Sequence, residues 1–284
     1  MINNVLITAD STCDLSQELI KKHNIKIVPI YISMGSKFYK DGIDITQKDI
    51  YEFVAKNNQL PKTAAIGPIE YAEIFKPLVE KGLEIIHVSI GSKFSSCFQN
   101  ACLAAEEYAG KVHIVDSANL SSGSGHVVLE LADLLEAGVS VSETLEKIKT
   151  IIPKVDASFI LDNLEYMHKG GRCSSITALG ANFLKLKPCI EVVDGVMEVG
   201  KKYRGNLPIV LKKYVEDRLI NTKDYYKKNR IFITSTCQTN ELIDMVKDEI
   251  KKAQIFDEIF VTPAGCTITC HCGPNTLGIL FIRN

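Results

Sequence analysis

The chain has 284 residues, of which 46% are hydrophobic and 24% charged, with a formal net charge of −1. That length suits two domains or one large α/β domain with an ample core. The near-zero charge offers no global field to select nucleic acid or an anionic membrane, and no run of about eighteen apolar residues exists to span a bilayer, so neither nucleic acid nor stable membrane insertion is expected.

Val5 to Ala9 is a short buried strand, and the first ten residues lack the charged lead and small-residue cleavage site of a signal peptide. The strand ends in Asp10-Ser11-Thr12-Cys13-Asp14, dense in capping groups, ahead of a helix through Leu19 and Ile20 to Asn24. Ile25 to Ile32 is a second strand, with Pro29 marking an edge or a strand start. Lys37 to Thr46 is an exposed hairpin or loop turning at Asp41-Gly42, and Thr46 caps a helix through Ile50, Phe53 and Val54. Leu60 to Ala64 is a loop. Gly67-Pro68 opens the next helix with proline at its first position, and Gly82 closes it.

Glu84 to Ile90 is a buried strand that runs through Gly91 to Phe94 into Ser95-Ser96 and a helix towards Gly110. Ser95 or Ser96 caps that helix. The first helical N–H groups have no internal partner, so the serines either serve as a plain cap or frame a site for an anion or a carbonyl oxygen. Val112 to Val115 is a strand ending in Asp116-Ser117. Ser121-Ser122-Gly123-Ser124-Gly125 leads into an apolar helix stopped by Gly138, and Ser140 to Ile152 is a further helix closed by Pro153. Such alternation implies a mostly parallel sheet with helices on both faces, and its carboxyl-end loops gather Asp10, Thr63, Ser95 and Asp116 to Gly125 at one rim.

The pattern changes after Pro153, which divides an N-terminal α/β domain, 1–153, from a C-terminal mixed α/β domain, 154–284. Val155 to Leu161 is a strand, Asn163 to Lys169 a short helix ended by Gly170-Gly171, and Ile176 to Leu184 helical. Pro188 to Val199 is a hairpin turning at Asp194-Gly195. A helix over Leu207 to Ile220, a strand over Ile231 to Ser235, a helix over Asn240 to Ala253 and a strand over Ile259 to Thr262 follow. A polar loop holds Gly265 to Pro274, and Leu277 to Ile282 is the last strand. The hairpin and closing strand suggest a mixed sheet.

Familiar enzyme signatures are missing. There is no Walker phosphate loop, no Gly-x-Gly-x-x-Gly and no Gly-x-Ser-x-Gly elbow. Nine cysteines, an odd number spread through periodic segments, suggest thiols in a reducing compartment, hence a cytoplasmic protein. Cys266, Cys270 and Cys272 with His271 have the wrong spacing for a zinc knuckle, so no metal is assigned, although a thiolate cluster and incidental buried thiols both remain open. Arg172 follows Gly170-Gly171, either as a solvated residue beyond a helix cap or as a guanidinium against a backbone-lined anion site. Arg204, in Lys202-Tyr203-Arg204-Gly205, repeats the theme. His271 is either structural or part of a site.

Together these pieces resemble the DegV family of fatty-acid-binding proteins, acyl carriers for bacterial fatty acid kinase. The resemblance spans the chain. Asp10-Ser11-Thr12-Cys13-Asp14-Leu15 is similar to the family's opening Asp-Ser-x-x-Asp-Leu, and Pro61-Lys62-Thr63 to its Pro-Lys-Thr loop. Phe94 to Gln99 resembles its Leu-Ser-Gly-Thr-Tyr-Gln segment, and Asp116-Ser117 with Ser121, Gly123 and Gly125 its Asp-Ser-x-x-x-Ser-x-Gly-x-Gly. Leu164-Glu165-Tyr166 with Lys169-Gly170-Gly171-Arg172, then Lys187-Pro188, Asp194-Gly195, Arg204-Gly205 and His271-x-Gly273-Pro274, complete the order. Ala64 stands where the family often has serine, Ser96 where glycine is usual, and Asn275 where glycine follows Gly-Pro.

The resemblance implies two α/β domains with a long-chain fatty acid buried in a tunnel near their interface, and no other cofactor. It implies that Thr63 and Ser95 bind the carboxylate, that Arg172 and His271 complete the polar network, and that Arg204 faces the docked kinase. The partner kinase, not this chain, would hold ATP, so the chain would be a carrier without a catalytic residue of its own. A small-anion enzyme using the Ser95 and His271 loops is the alternative.

Overall fold

The computed structural model describes residues 4–177, 186–237 and 239–284. In chain order the first half comprises β1 (Val5–Asp10), α1 (Gln17–Lys22), β2 (Lys26–Val28), β3 (Tyr31–Met34), β4 (Lys37–Lys40), α2 (Gln47–Asn57), β5 (Lys62–Ala64), α3 (Pro68–Glu80), β6 (Glu84–Ser89), α4 (Cys97–Ala105), β7 (Val112–Asp116), α5 (Ser121–Glu136) and α6 (Val141–Ile151). The second half comprises β8 (Val155–Ile160), α7 (Glu165–Gly170), α8 (Ser174–Thr177), β9 (Leu186–Val193), β10 (Val196–Arg204), α9 (Leu207–Arg218), β11 (Tyr226–Ser235), α10 (Asn240–Ala253), β12 (Glu258–Pro263), α11 (Cys266–Cys272) and β13 (Leu277–Arg283).

The protein is mixed α/β. A parallel sheet runs in the order β2-β1-β6-β7. Alternation along its strands sends Leu6 and Ile85 towards Phe75 of α3 and Ala101 of α4, and Ile7 and Ile86 towards Leu19 of α1 and Val127 of α5. The second sheet runs in the order β10-β9-β8-β13-β11-β12, with β11 and β12 parallel and the other pairs antiparallel. Its outer face packs on α9 and α10 through Tyr214, Val246 and Phe281. Both sheets thus match the expected parallel and mixed arrangements.

α5 lies between the two sheets and is buried on all sides from Ser121 to Ala132. A helix apolar all round belongs in such a place. Val128 and Leu129 share one core with Ile86 of the parallel sheet and with Ala157, Phe232 and Leu280 of the mixed sheet. Most polar groups on α5 find partners: the His126 Nε2–H donates to the Leu280 carbonyl at 2.9 Å, leaving its Nδ1 without a partner within the protein, and Glu130 accepts from Lys227 and Arg230 of β11. The parallel sheet comes from residues before Pro153 and the mixed sheet from residues after it, yet their core is shared.

Four local expectations are corrected. The stretch Ile25 to Ile32 is not one strand. It breaks at Pro29 into β2, at the edge of the parallel sheet, and β3, in a separate antiparallel sheet of order β4-β3-β5. Proline has no N–H to continue the ladder. The hairpin that follows turns at Gly35-Ser36, because Met34 pairs with Lys37; Asp41-Gly42 is a second turn beyond it. The loop expected at Leu60 to Ala64 contains β5, with Thr63 opposite Ile32, and the polar loop expected from Gly265 to Pro274 is mostly α11, a buried helix. Of the helix expected over Ile176 to Leu184, α8 supplies the start, and residues 178–185 lie outside the described residues.

The shared core gives a direct test. Leu129→Ala empties space between two sheets and should cost about 2–5 kcal/mol, read as a lower urea midpoint with an unchanged slope.

Candidate functional site

A cavity of about 530 Å³ opens where the loop after β6, β5, the end of α7, β10 and α11 converge. Thr63, Ser95, Arg172 and His271 form its polar end, and Ile90, Phe94, Leu120, Met167, Met197 and Ile268 its apolar wall. A separate gap of about 30 Å³, lined by Ala157, Phe159 and Leu280, lies on the other side of Leu120, Ile268 and Cys272. The fold therefore brings together four of the five residues singled out in the sequence. Arg204 stands apart, exposed at the end of β10 and outside the cavity lining.

Two short elements carry the central pair. β5 presents Thr63 and α11 presents His271, with Thr63 Oγ1 2.9 Å from His271 Nε2. Burial, with Arg172 nearby, pushes the imidazole down to about 4, so it is neutral near pH 7. With Nε2 as the donor, the Thr63 hydroxyl hydrogen is left to point into the cavity. His271 Nδ1 has no partner within the protein. Close packing of α7 on α11 depends on two glycines. A Cβ at Gly170 would stand 2.5 Å from His271 Nδ1, and one at Gly273 would stand 2.6 Å from the Tyr166 ring. Arg172 lies exposed at the rim, its guanidinium donating to the Gly170 carbonyl at 2.8 Å.

Of the two serines expected to cap α4, Ser95 makes the bond: its Oγ accepts from the Cys97 N–H at 3.3 Å and lies 3.2 Å from Cys97 Sγ. Ser96, next to the helix, makes no side-chain cap bond.

The loops around the cavity are held by carboxylates. Asp10, at the end of β1, accepts from Ser89 Oγ, the Ile90 N–H and the Tyr71 hydroxyl at 2.7, 2.9 and 2.7 Å. Asp116 accepts from the N–H groups of Ser92 and Ala118 at 3.0 and 2.8 Å. Asp14 accepts from the Gly265 N–H at 2.9 Å and the Ser121 hydroxyl at 2.6 Å. Asp41 accepts from the N–H groups of Cys266 and Thr267 at 2.8 and 3.2 Å, and from Ser11 Oγ at 3.0 Å. Asp14 and Asp41 therefore satisfy the open N-terminus of α11, the helix that carries His271. The sequence reading gave the Asp10 to Asp14 cluster a local capping role, but Ser16 caps α1, with the Leu19 N–H 3.3 Å from its Oγ. Asp41 was missed as more than a turn residue, since its partners lie 225 and 226 positions away.

Among the described residues no group of three or more His, Cys, Asp and Glu could hold a metal. Cys266 and Cys270 pack with Ile32, Ile45 and Ile50, and burial pushes the thiols of Cys266 and Cys272 up to about 12. Among the described lining residues of the cavity there is no carboxylate. The arrangement suits an anionic head and an apolar tail.

Fold and cavity together define a mixed α/β protein, with a parallel, a mixed and a small antiparallel sheet, and an amphiphilic site. The chain belongs to the DegV family, whose model, described as "Uncharacterised protein, DegV family", matches residues 4–284. It is 30% identical over 284 residues to a DegV domain-containing protein of Clostridium perfringens, covering 99% of each chain. Its structure is similar to that of a fatty-acid-binding DegV family protein from Thermus thermophilus, with a TM-score of 0.92, 26% identity, and coverage of 99% of this chain and 100% of that one. It is also similar to a stearic acid-binding protein from Eubacterium ventriosum, with a TM-score of 0.84, 26% identity and coverage of 98% and 97%.

The neutral state of His271 has a pH signature. Its folded pKa lies below its unfolded value, so between about 6.5 and about 4 the unfolded chain binds the extra proton. Wild-type stability, measured against His271→Gln by urea unfolding, should be constant above about pH 6.5 and fall as the pH drops towards 4. A pH-independent difference would contradict the buried neutral imidazole.

Proposed function

We propose that this chain binds a long-chain fatty acid in the cavity and presents its carboxylate to a fatty acid kinase, which phosphorylates it to an acyl phosphate. The single observation that carries this reading is one cavity lined by hydroxyl, imidazole and guanidinium groups and by an apolar wall, with a small gap between the sheets behind Leu120, Ile268 and Cys272. Fatty-acid binding by the Thermus thermophilus and Eubacterium ventriosum neighbours supports it.

Each buried methylene contributes about 0.8 kcal/mol, so a long tail contributes on the order of ten kcal/mol before ordering costs. The tail supplies affinity and the head supplies orientation. Thr63 and Ser95 donate to the carboxylate, His271 orients Thr63, and Arg172 neutralises charge at the rim. A carboxylate is already a nucleophile towards phosphorus, so the transfer needs no general base. It needs two anions held close together, and cations serve that end. Arg204, exposed on β10, faces the kinase in this scheme. The kinase holds the nucleotide, the chain is a carrier and not an enzyme, and the cytoplasm, with its reducing poise, suits nine free thiols. The alternative of a small-anion enzyme fits less well. His271 is bonded to Thr63, not to Ser95, and more than half of the wall has no polar use for a small substrate.

Native mass spectrometry followed by denaturing extraction tests the binding reading. A mass excess that extracts as a fatty acid is expected, and an apo mass unchanged by incubation with fatty acids would reject it. Ser95→Ala should weaken fatty-acid binding by about 0.5–1.5 kcal/mol with the fold intact, the urea midpoint falling only by the loss of its bond to the Cys97 N–H, about 0.5–2 kcal/mol. Arg204→Ala should lower acyl phosphate formation with the kinase more than it lowers lipid affinity; equal loss of both would remove its docking role.

A further inference from the structure

We infer that Thr267 is an additional head-group residue of the cavity, its hydroxyl donating to the anionic end of the bound lipid. The inference rests on the fatty-acid reading and adds a donor that the sequence did not single out. Thr267 lines the cavity and is only 5% exposed. Its Oγ1 is buried and has no hydrogen-bond partner within the protein. Buried hydroxyls are rarely left so, because the lost hydration is not replaced.

The usual local remedy is a bond to the carbonyl one helical turn back. Thr269, two residues on, makes that bond, with its Oγ1 2.9 Å from the Gly265 carbonyl. Thr267 does not. Its main-chain N–H is already taken by Asp41, so the hydroxyl alone is unassigned. Thr267 precedes His271 by four positions on α11, which puts both on one helix face, and both line the cavity. Ala64, beside Thr63, brings a methyl to the same cavity and no donor. The polar end therefore has room for another donor where Thr267 has one to spare. A rotation of about 120° about χ1 carries Oγ1 to the place of the methyl and the methyl to the place of Hβ, a second staggered position open to the hydroxyl when an anion arrives. The ligand group recognised is an oxyanion, either the carboxylate of the lipid or the phosphoryl oxygens of its acyl phosphate.

Thr267→Val keeps the shape and removes the hydroxyl. Oleate and oleyl alcohol have the same tail and differ at the head, so their binding to the full-length protein separates a donor from a packing residue. Thr267→Val should weaken oleate about three- to tenfold, leave oleyl alcohol within about twofold, and be reversed by Thr267→Ser. Thr267→Ala gives the same reading if valine disturbs the helix. Equal loss for both lipids would make Thr267 a packing residue, and unchanged oleate affinity in a folded valine or alanine variant would remove its role altogether. In both cases wild-type binding leaves the fatty-acid reading intact. Wild-type protein that binds neither lipid would overturn that reading, and this inference with it.

Discussion

The cavity depends on carboxylates bonded to main-chain N–H groups. Asp10 fixes the end of β6, Asp116 the loop that follows it, and Asp14 with Asp41 the start of α11. Each of these segments then presents a wall of the cavity. Bonds to an ionised carboxylate, as at Asp10, are stronger than neutral ones, and the four aspartates together leave few main-chain donors unsatisfied at buried loop ends. Aspartates around a cavity proposed to take an anionic head look contradictory, but both oxygens of Asp10, Asp14 and Asp41 are already bonded to N–H or O–H donors. Burial, aggravated by Asp41, also pushes Asp14 up to about 8, so it keeps its proton at neutral pH. The interior then carries less negative charge than the count of aspartates suggests.

α5 joins this bracing to the rest of the core. Its body is locked between the sheets, and its first turn forms the floor of the cavity at Leu120. Two non-glycine residues with positive φ, Ala118 at 46° and Ser121 at 53°, flank that point. Such conformations are costly and persist where the surroundings fix them. Here Asp116 binds the N–H of Ala118, and Asp14 binds the hydroxyl of Ser121. The same aspartates that hold the cavity loops hold the strained entry to the buried helix, so the two ends of the cavity wall are mechanically linked.

What could be read in the sequence follows the range of each signal. The capping residue Thr46, the Gly67-Pro68 helix start and the Asp194-Gly195 turn are local, and the structure has all of them. α11 was misread as a loop because seven residues rich in cysteine and threonine have no polar face to reveal a period, and its caps come from Asp14 and Asp41, far away in the chain. β5 was missed because three residues are too few to show alternation. At the site, residue chemistry alone left Arg172 and His271 undecided between structural and functional roles, and only the family resemblance put Thr63 and His271 together. Their pairing spans 208 positions and has no local trace.

The neutral imidazole explains how such a site could hold an anion without trapping it. On the fatty-acid reading, an imidazolium buried at His271 would bind the carboxylate more tightly and draw charge from the oxygen that must attack phosphorus. Burial and Arg172 instead keep His271 uncharged, so it orients Thr63 through a hydrogen bond and adds no full charge. The positive charge at the polar end is at the rim, on Arg172, where solvent screens it and where an incoming phosphoryl group would meet it first. On that same reading, affinity comes from the tail, which phosphoryl transfer would leave untouched, and the head would remain a free nucleophile.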